Sequence, residues 1–172
     1  VCVCEVLTSG VVARSIEAGP SRRDELVSSA VVGFHPRLEI FTDASYSDAY
    51  SLGEAIPSTT ERIYVEVTSD GADDVVGVPD CVAAPSDSVH DAHAQTLFTH
   101  YCDVDVFGIT SEPGPTDGRT NAVRWSMRKF KFAGHPRVFL FCQVARCGSP
   151  PCGTCDGRRR LHEASGARQL SA

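Results

Sequence analysis

The stretch that decides the fold is Arg137-Val138-Phe139-Leu140-Phe141-Cys142-Gln143-Val144. In an extended chain successive side chains point to opposite faces, so one face here carries valine, leucine and cysteine while the other carries two phenylalanines. A strand that is apolar on both faces is typical of the middle of a sheet. The stretch therefore predicts a central strand, in which the two phenylalanines either cover the second sheet face or form a binding patch.

Four other segments have the pattern of strands. Arg37–Thr42 and Ile63–Thr68 alternate apolar and polar residues, and Leu26–Gly33 and Val104–Ile109 are short and apolar. Turn residues separate these segments, and helical periodicity is nearly absent. The sequence therefore predicts an all-β protein with the architecture of an antiparallel β-sandwich.

The region around the one tryptophan needs an irregularity. Trp125 and Met127 share one strand face, whereas Phe130 and Phe132 have the opposite parity. A single regular strand cannot bury both sets, so we expect a β-bulge near Arg128-Lys129.

The remaining segments favour turns and loops. Between Val75 and Ser88 there is no helix start signal, and two prolines break any long helix. Ser88–Phe98 has room for a short helical turn at most, and Ser111–Asn121 has the composition of an exposed loop.

Composition narrows the class of function. The chain has 172 residues, 42% of them hydrophobic, and a formal net charge of −6. This is enough apolar material for a core, and the acidic balance argues against binding to nucleic acid or to an anionic membrane surface. No apolar run is long enough to span a bilayer, and the chain opens at Val1 without a leader. We therefore expect an internal fragment or processed product that itself makes no membrane contact.

The cysteines indicate an oxidising, extracellular compartment. There are eight, and six of them lie between Cys81 and Cys155. Such a density favours disulfides. The alternative is a zinc site, because Cys152 and Cys155 form a C-x₂-C pair, although Cys142 and Cys147 are spaced C-x₄-C.

No motif for catalysis is present. The sequence has neither a Gly-x-Ser-x-Gly elbow nor a cysteine with an oriented histidine, so we expect no enzyme activity and no cofactor. Nor does the one asparagine, Asn121, start an N-glycosylation sequon, since Ala122 and Val123 follow it.

Metal binding is also weakly supported. His90 and His93 could share a helical face, but no third ligand is fixed by spacing. Asp80, Asp103 and Asp105 lack the order of a calcium-binding loop. We predict no metal site.

The cysteine region resembles the C-terminal half of a zona pellucida (ZP) module. The resemblance covers about Phe34 to Cys155 and rests on six cysteines in the family's order with four flanking segments, namely Cys81, Cys102, Cys142, Cys147, Cys152 and Cys155 with Val78–Ser86, Tyr101-Cys102, Phe130–Gly134 and Val138–Val144. It implies an immunoglobulin-like sandwich, in agreement with the strand pattern. It also implies three disulfides, Cys81–Cys142, Cys102–Cys155 and Cys147–Cys152.

The resemblance divides the chain into four parts. Residues 1–12 correspond to the tail end of a truncated N-terminal ZP subdomain, and residues 13–33 to the interdomain linker with an internal hydrophobic patch. Residues 34–155 are the C-terminal subdomain, and 156–172 form a basic tail that resembles a cleavage site. Sequence does not settle how Cys2 and Cys4 pair.

Members of this family are extracellular. They polymerise with other ZP-domain chains into filaments and matrices such as egg coats, often from a membrane-anchored precursor cut by a processing protease, or they serve as receptor ectodomains. The resemblance implies a polymerisation patch at the matching positions (Leu26, Val27, Ala30, Val31, Val32 and Gly33) and a processing site at three arginines (Arg158, Arg159 and Arg160). Gly157 departs from the usual protease pattern.

Three interpretations follow for function. The first is a polymer-forming structural module without catalysis. The second is a receptor or co-receptor ectodomain that binds a soluble protein ligand without polymerising. The third is a zinc-binding or thiol–disulfide enzyme that uses Cys152 and Cys155.

Overall fold

The computed structural model describes residues 6–17, 34–51, 55–57, 59–71, 73–104, 106–112, 121–153 and 155. Regular structure in these residues consists of strands alone. In chain order they are β1 (Val6–Glu17), β2 (Pro36–Phe41), β3 (Arg62–Ser69), β4 (Val75–Ala84), β5 (Gln95–Thr99), β6 (Cys102–Asp103), β7 (Thr110–Glu112), β8 (Ala122–Arg128) and β9 (Arg137–Cys147).

The strands form two antiparallel sheets that pack face to face. One sheet has the order β1-β9-β4-β5-β6 and the other the order β2-β3-β8-β7. Three disulfides staple the fold. This confirms the predicted fold class, an immunoglobulin-like β-sandwich.

The core lies between the inward faces of the sheets. Trp125 on β8 is fully buried, and its ring meets that of Phe98 edge-to-face with the centroids 5.1 Å apart. Val65 on β3 and Leu140 on β9 are also fully buried. An edge-to-face aromatic pair contributes about 0.5–1.5 kcal/mol beyond the burial of its surface, so this contact helps to fix how the sheets face each other.

The central-strand prediction is confirmed. β9 lies between β1 and β4, and its alternate residues from Val138 to Val144 are buried in the core. Phe139 and Phe141 point away from the core and are half-buried. The predicted strands at Arg37–Thr42 and Ile63–Thr68 are likewise present, as β2 and β3.

Apart from β1, which is described below, four strands were not predicted from the sequence: β4, β5, β6 and β7. β4 is a ten-residue strand in which Pro79 sits where the register with β9 shifts, between Gly77 and Asp80. A proline is tolerated at a bulge, where no ladder hydrogen bond is lost. Ser88–Phe98, expected to hold a short helical turn at most, contains two turns that lead directly into β5.

Two local predictions are wrong. Val104–Ile109 is a turn-rich connection between β6 and β7 rather than a strand, with Phe107 and Gly108 at positive φ. No bulge forms at Arg128-Lys129, because β8 ends at Arg128 and Phe130 and Phe132 follow in a non-strand segment. Ending the strand removes the parity conflict without a bulge.

β1 overlaps the expected boundary between the N-terminal tail and the linker. It runs from Val6 to Glu17, past residue 12 and into the segment that the resemblance assigns to the linker. Its assignment to a truncated N-terminal subdomain stays a prediction, as do the other domain boundaries.

Candidate functional site

The edge formed by β1 and β9 is the first feature of the candidate site. The two strands are antiparallel and share 11 register pairs, from Val6 opposite Cys147 to Glu17 opposite Arg137. Within the described residues, β1 pairs with no strand other than β9. Its outer edge therefore presents backbone N–H and C=O groups that can pair with a further strand.

The position of β1 in the sequence is unusual for its place in the sheet. β1 precedes β2, yet it lies beside β9, the last strand among the described residues. Residues 18–33, which the structure does not describe, join it to Phe34. The strand that completes this sheet, β1, therefore comes from outside residues 34–155, which contain β2 to β9.

Three disulfides lie beyond β9 on the side away from β1, and two of them include a β9 cysteine. Cys81 and Cys142 are register partners on β4 and β9, with their Cα atoms 4.0 Å apart. Cys102–Cys155 and Cys147–Cys152 have Cα separations of 4.7 and 5.4 Å. These are the pairs that the family resemblance implies. Disulfide sulfurs are neither thiolate nucleophiles nor zinc ligands, so none of the six cysteines has that chemistry in this structure.

The Tyr101 side chain, here called the tyrosine wedge, packs beside the disulfides at the C-terminal end of the domain. His100 and Tyr101 both have positive φ, 50° and 64°, in the two-residue turn between β5 and β6. The Tyr101 ring lies between two glycines, because a Cβ at Gly77 would be 2.9 Å from its Cε1 and a Cβ at Gly153 would be 2.5 Å from its Cε2. The absence of side chains at both glycines lets the ring pack against the loop after β9.

The two phenylalanines of β9 form a small apolar patch beside β1. Phe139 and Phe141 are half-buried, and their ring centroids are 6.4 Å apart at 16°. Val82 of β4 is the register partner of Phe141 on one side, and Ala13 of β1 on the other. The patch therefore adjoins the β1 edge on the solvent side of the sheet.

Several predicted positions lie outside the described residues. They are the polymerisation patch (Leu26, Val27, Ala30, Val31, Val32 and Gly33), the processing site (Arg158, Arg159 and Arg160), and Cys2 and Cys4.

The histidines and aspartates do not converge. His90 and His93 are exposed in turns, and the His93 Nδ1 atom lies 3.3 Å from Asp91 Oδ1. The Asp80 carboxylate accepts a hydrogen bond from the His100 backbone N–H. In the part of the chain that the structure describes, no three His, Cys, Asp or Glu side chains are grouped as metal ligands.

Among the described residues, three groups in loops have shifted pKa values. Hydrogen bonds from the Ser86 hydroxyl and the His93 N–H lower the pKa of Asp91, and hydrogen bonds from Ser45 similarly lower that of Asp43. Burial lowers the pKa of Lys129, whose amine donates to the carbonyl oxygens at residues 56 and 57. These contacts brace loops and do not form a reaction centre.

Sequence reasoning missed β1 as part of the site. None of its 12 residues is proline and five are β-branched, a local composition that favours a strand (Val6, Thr8, Val11, Val12 and Ile16).

The described residues include no helix long and apolar enough to cross a membrane.

Comparison with known proteins gives three similarities. A family model described as the ZP-C domain matches residues 31–156. The pancreatic secretory granule membrane major glycoprotein GP2 of Mus musculus is 27% identical over 139 residues, and the match covers 70% of this chain. The chain spans only 24% of the length of that relative. A crystal structure of envelope protein VP37 from White Spot Syndrome Virus matches with a TM-score of 0.36 and 12% identity. The match covers 83% of this chain and 98% of that one. This similarity is too weak for an inference.

Proposed function

Because the chain belongs to the zona pellucida family through its ZP-C domain, we propose that it assembles with other ZP-type chains into an extracellular filament or matrix. In this proposal β1 is the strand that is exchanged between chains. A strand from one chain completes the sheet of the next by pairing with β9, so that backbone hydrogen bonds provide the joint.

One observation carries the proposal. The strand that completes the five-stranded sheet comes from the N-terminal side, and 16 residues (18–33) separate it from Phe34. Fully extended, a connection of that length reaches at most about 55 Å. That is longer than a domain of this size is wide, so the connection is long enough for β1 to pair with β9 of a neighbouring copy instead of its own.

The other predicted sites fit this scheme as proposals. The apolar residues from Leu26 to Gly33 follow β1 and would travel with it to the neighbour. Arg158–Arg160 follow the last disulfide, where a processing protease would release a membrane-anchored precursor for assembly. An egg-coat or extracellular-matrix setting belongs to the same proposal.

We also infer that the protein acts without catalysis or cofactor. Six cysteines are committed to disulfides, which agrees with an extracellular location and removes the thiols that a zinc or thiol–disulfide enzyme would use. The similarity to a secretory granule membrane glycoprotein supports the same location.

A receptor ectodomain is the second candidate. The half-buried pair Phe139 and Phe141 gives the sheet an apolar patch that could bind a soluble protein ligand while β1 stays in place. Strand exchange is not needed in that case, so the two functions differ in what happens to β1.

Blocking the β1 ladder tests the proposal. In an antiparallel pair alternate residues donate to the neighbour, so the double substitution Val11→Pro with Val12→Pro removes at least one ladder hydrogen bond. The matched control is Val11→Thr with Val12→Thr, which keeps shape and N–H groups. We expect the control to assemble, as judged by light scattering with and without protease treatment, and the proline variant to stay monomeric. Equal assembly by both variants would rule strand exchange out.

A further inference from the structure

Two arginines face each other at one end of the four-stranded sheet. Arg62 begins β3, Arg128 ends β8, and the two residues are register partners. Directly opposite side chains share a sheet face, and like charges in that position destabilise the pair. A structure that keeps this arrangement has two positive charges close together on its surface.

The hydrogen-bond partners of the Arg62 guanidinium are neutral groups, although Glu61 and Lys129 adjoin the two arginines in the sequence. The Arg62 guanidinium donates to Ser126 Oγ at 2.8 Å, Gly108 O at 3.2 Å and Thr110 Oγ1 at 3.3 Å. The Arg128 side chain lies over the same glycine, since a Cβ at Gly108 would be 3.2 Å from its Nε. These contacts orient the two guanidinium groups without neutralising either one.

Other arginines of the domain have carboxylate partners. Neither Arg62 nor Arg128 forms an ion pair with any described residue, whereas three other arginines each contact a carboxylate within 3.0 Å (Arg37 with Asp70, Arg124 with Glu66 and Arg146 with Asp74). Because adjacent guanidinium groups favour a planar anion such as a carboxylate, the pair is suited to bind one from outside the domain.

The same strand carries negative charge at its other end. β3 ends at Ser69, and Asp70 and Asp73 follow it. Asp73 is exposed, and the Asp70 side chain is 47% exposed although it contacts Arg37. Eight strand residues span roughly 25 Å, so the basic and acidic ends lie on opposite ends of the sandwich.

Charge is also segregated along the sequence. Residues 34–117 contain 16 Asp and Glu but two Arg and Lys, and residues 118–155 contain seven Arg and Lys and no Asp or Glu. The formal net charge of −6 disfavours a long polyanion such as a sulfated glycan, which brings many negative charges close to the acidic residues. A single carboxylate has to approach only the arginine pair.

We propose that Arg62 and Arg128 of one copy bind the Asp73 carboxylate of a second copy, with Asp70 beside it. The choice of a second copy rests on the proposed assembly function. Such a contact joins two different surfaces of the same chain, so it is heterologous and can repeat into a line of copies. It is separate from the β1 edge and would act as a second, salt-sensitive joint.

Charge reversal tests the contact. Sedimentation velocity of the 172-residue chain at about 0.05 M NaCl should show self-association that weakens strongly at about 0.5 M, where screening is short-ranged. Arg128→Glu and Asp73→Arg should each weaken the self-association at least about tenfold, because each places like charges together. The double variant, Arg128→Glu with Asp73→Arg, should recover it. Asp87→Arg, an exposed change elsewhere, is the matched control for net charge.

Each contrary outcome is distinct. A monomeric wild type at low salt, an unaffected single variant or a double variant that does not recover would overturn the contact. Loss of heparin binding by Arg128→Glu with unchanged self-association would also overturn it and assign the pair to a glycan. If the Val11→Pro and Val12→Pro variant blocks assembly while Arg128→Glu does not, strand exchange stands and the end contact fails. Thermal unfolding of each variant separates these results from misfolding.

Discussion

Gly153 and Gly134 form a matched pair that isolates the effect of the tyrosine wedge. Both have a φ of 79°, the left-handed region in which an L side chain is strained. A Cβ at Gly134 would meet nothing within 4 Å, whereas a Cβ at Gly153 would lie 2.5 Å from the Tyr101 ring. Gly77 also lies close to the ring, since a Cβ there would be 2.9 Å from Tyr101 Cε1, so the ring has little space into which to shift. Substitution by alanine therefore adds backbone strain at both sites but a steric clash at Gly153 alone.

The expected magnitudes follow from these two costs. Gly134→Ala should destabilise the fold by about 1 kcal/mol, the cost of a left-handed alanine. Gly153→Ala should cost about 2–4 kcal/mol, because overpacking adds about 1–3 kcal/mol. Urea unfolding of the oxidised protein gives both values. Adding Tyr101→Ala to Gly153→Ala should remove much of the difference.

Equal destabilisation by the two alanines would refute the wedge. The same conclusion would follow if Tyr101→Ala destabilised the wild type and the Gly153→Ala variant by the same amount, since the two sites would then be independent.

Two further predictions concern the disulfides and one loop. Replacing Cys81 and Cys142 by alanine should cost about 4 kcal/mol and replacing Cys147 and Cys152 about 2 kcal/mol, because the sequence separations are 61 and 5 and loop entropy grows with length. Urea midpoints compare them, and a reversed order would contradict the entropic account. Asp91→Asn should lower the melting temperature at neutral pH and lose this effect as the pH falls through the lowered pKa of Asp91, since that carboxylate stabilises the fold only while ionised. A pH-independent difference would show that its charge has no role.

A strand could be predicted when its own residues carry the pattern of a strand, and could not be predicted when its structure depends on a partner strand. β9 was predictable because a central strand has apolar residues on both faces, and this pattern is visible in the sequence from Val138 to Val144. β4 was not, because Pro79 is compatible with a strand only at a bulge, and the bulge depends on the partner strand. β1 pairs with a strand at the far end of the chain, so its local sequence could not identify its partner.

The site was predictable to a similar extent. Family resemblance implied the cysteine pairs, which the structure joins. The arginine pair could not be found from sequence, because Arg62 and Arg128 are 66 positions apart and only the register of β3 and β8 brings them together. The alternation of apolar and polar residues predicts which face of a strand a residue occupies. Its neighbour on the adjacent strand can be identified only when the register of the two strands is known.

Exchange of β1 between copies is most directly measured by trapping it. Val11 and Gln143 are register partners, and Gln143 is exposed, so cysteines at the two positions fall within disulfide range when β1 pairs with β9. One chain carries Val11→Cys and a second, differently tagged chain carries Gln143→Cys. If β1 is exchanged, the mixed chains should form a disulfide-linked heterodimer under mild oxidation, and should form little product when Val12→Cys, one position out of register, replaces Val11→Cys. Absence of the heterodimer, while the Val11→Cys and Gln143→Cys pair closes within a single chain, would show that β1 stays with its own sandwich and would contradict strand exchange.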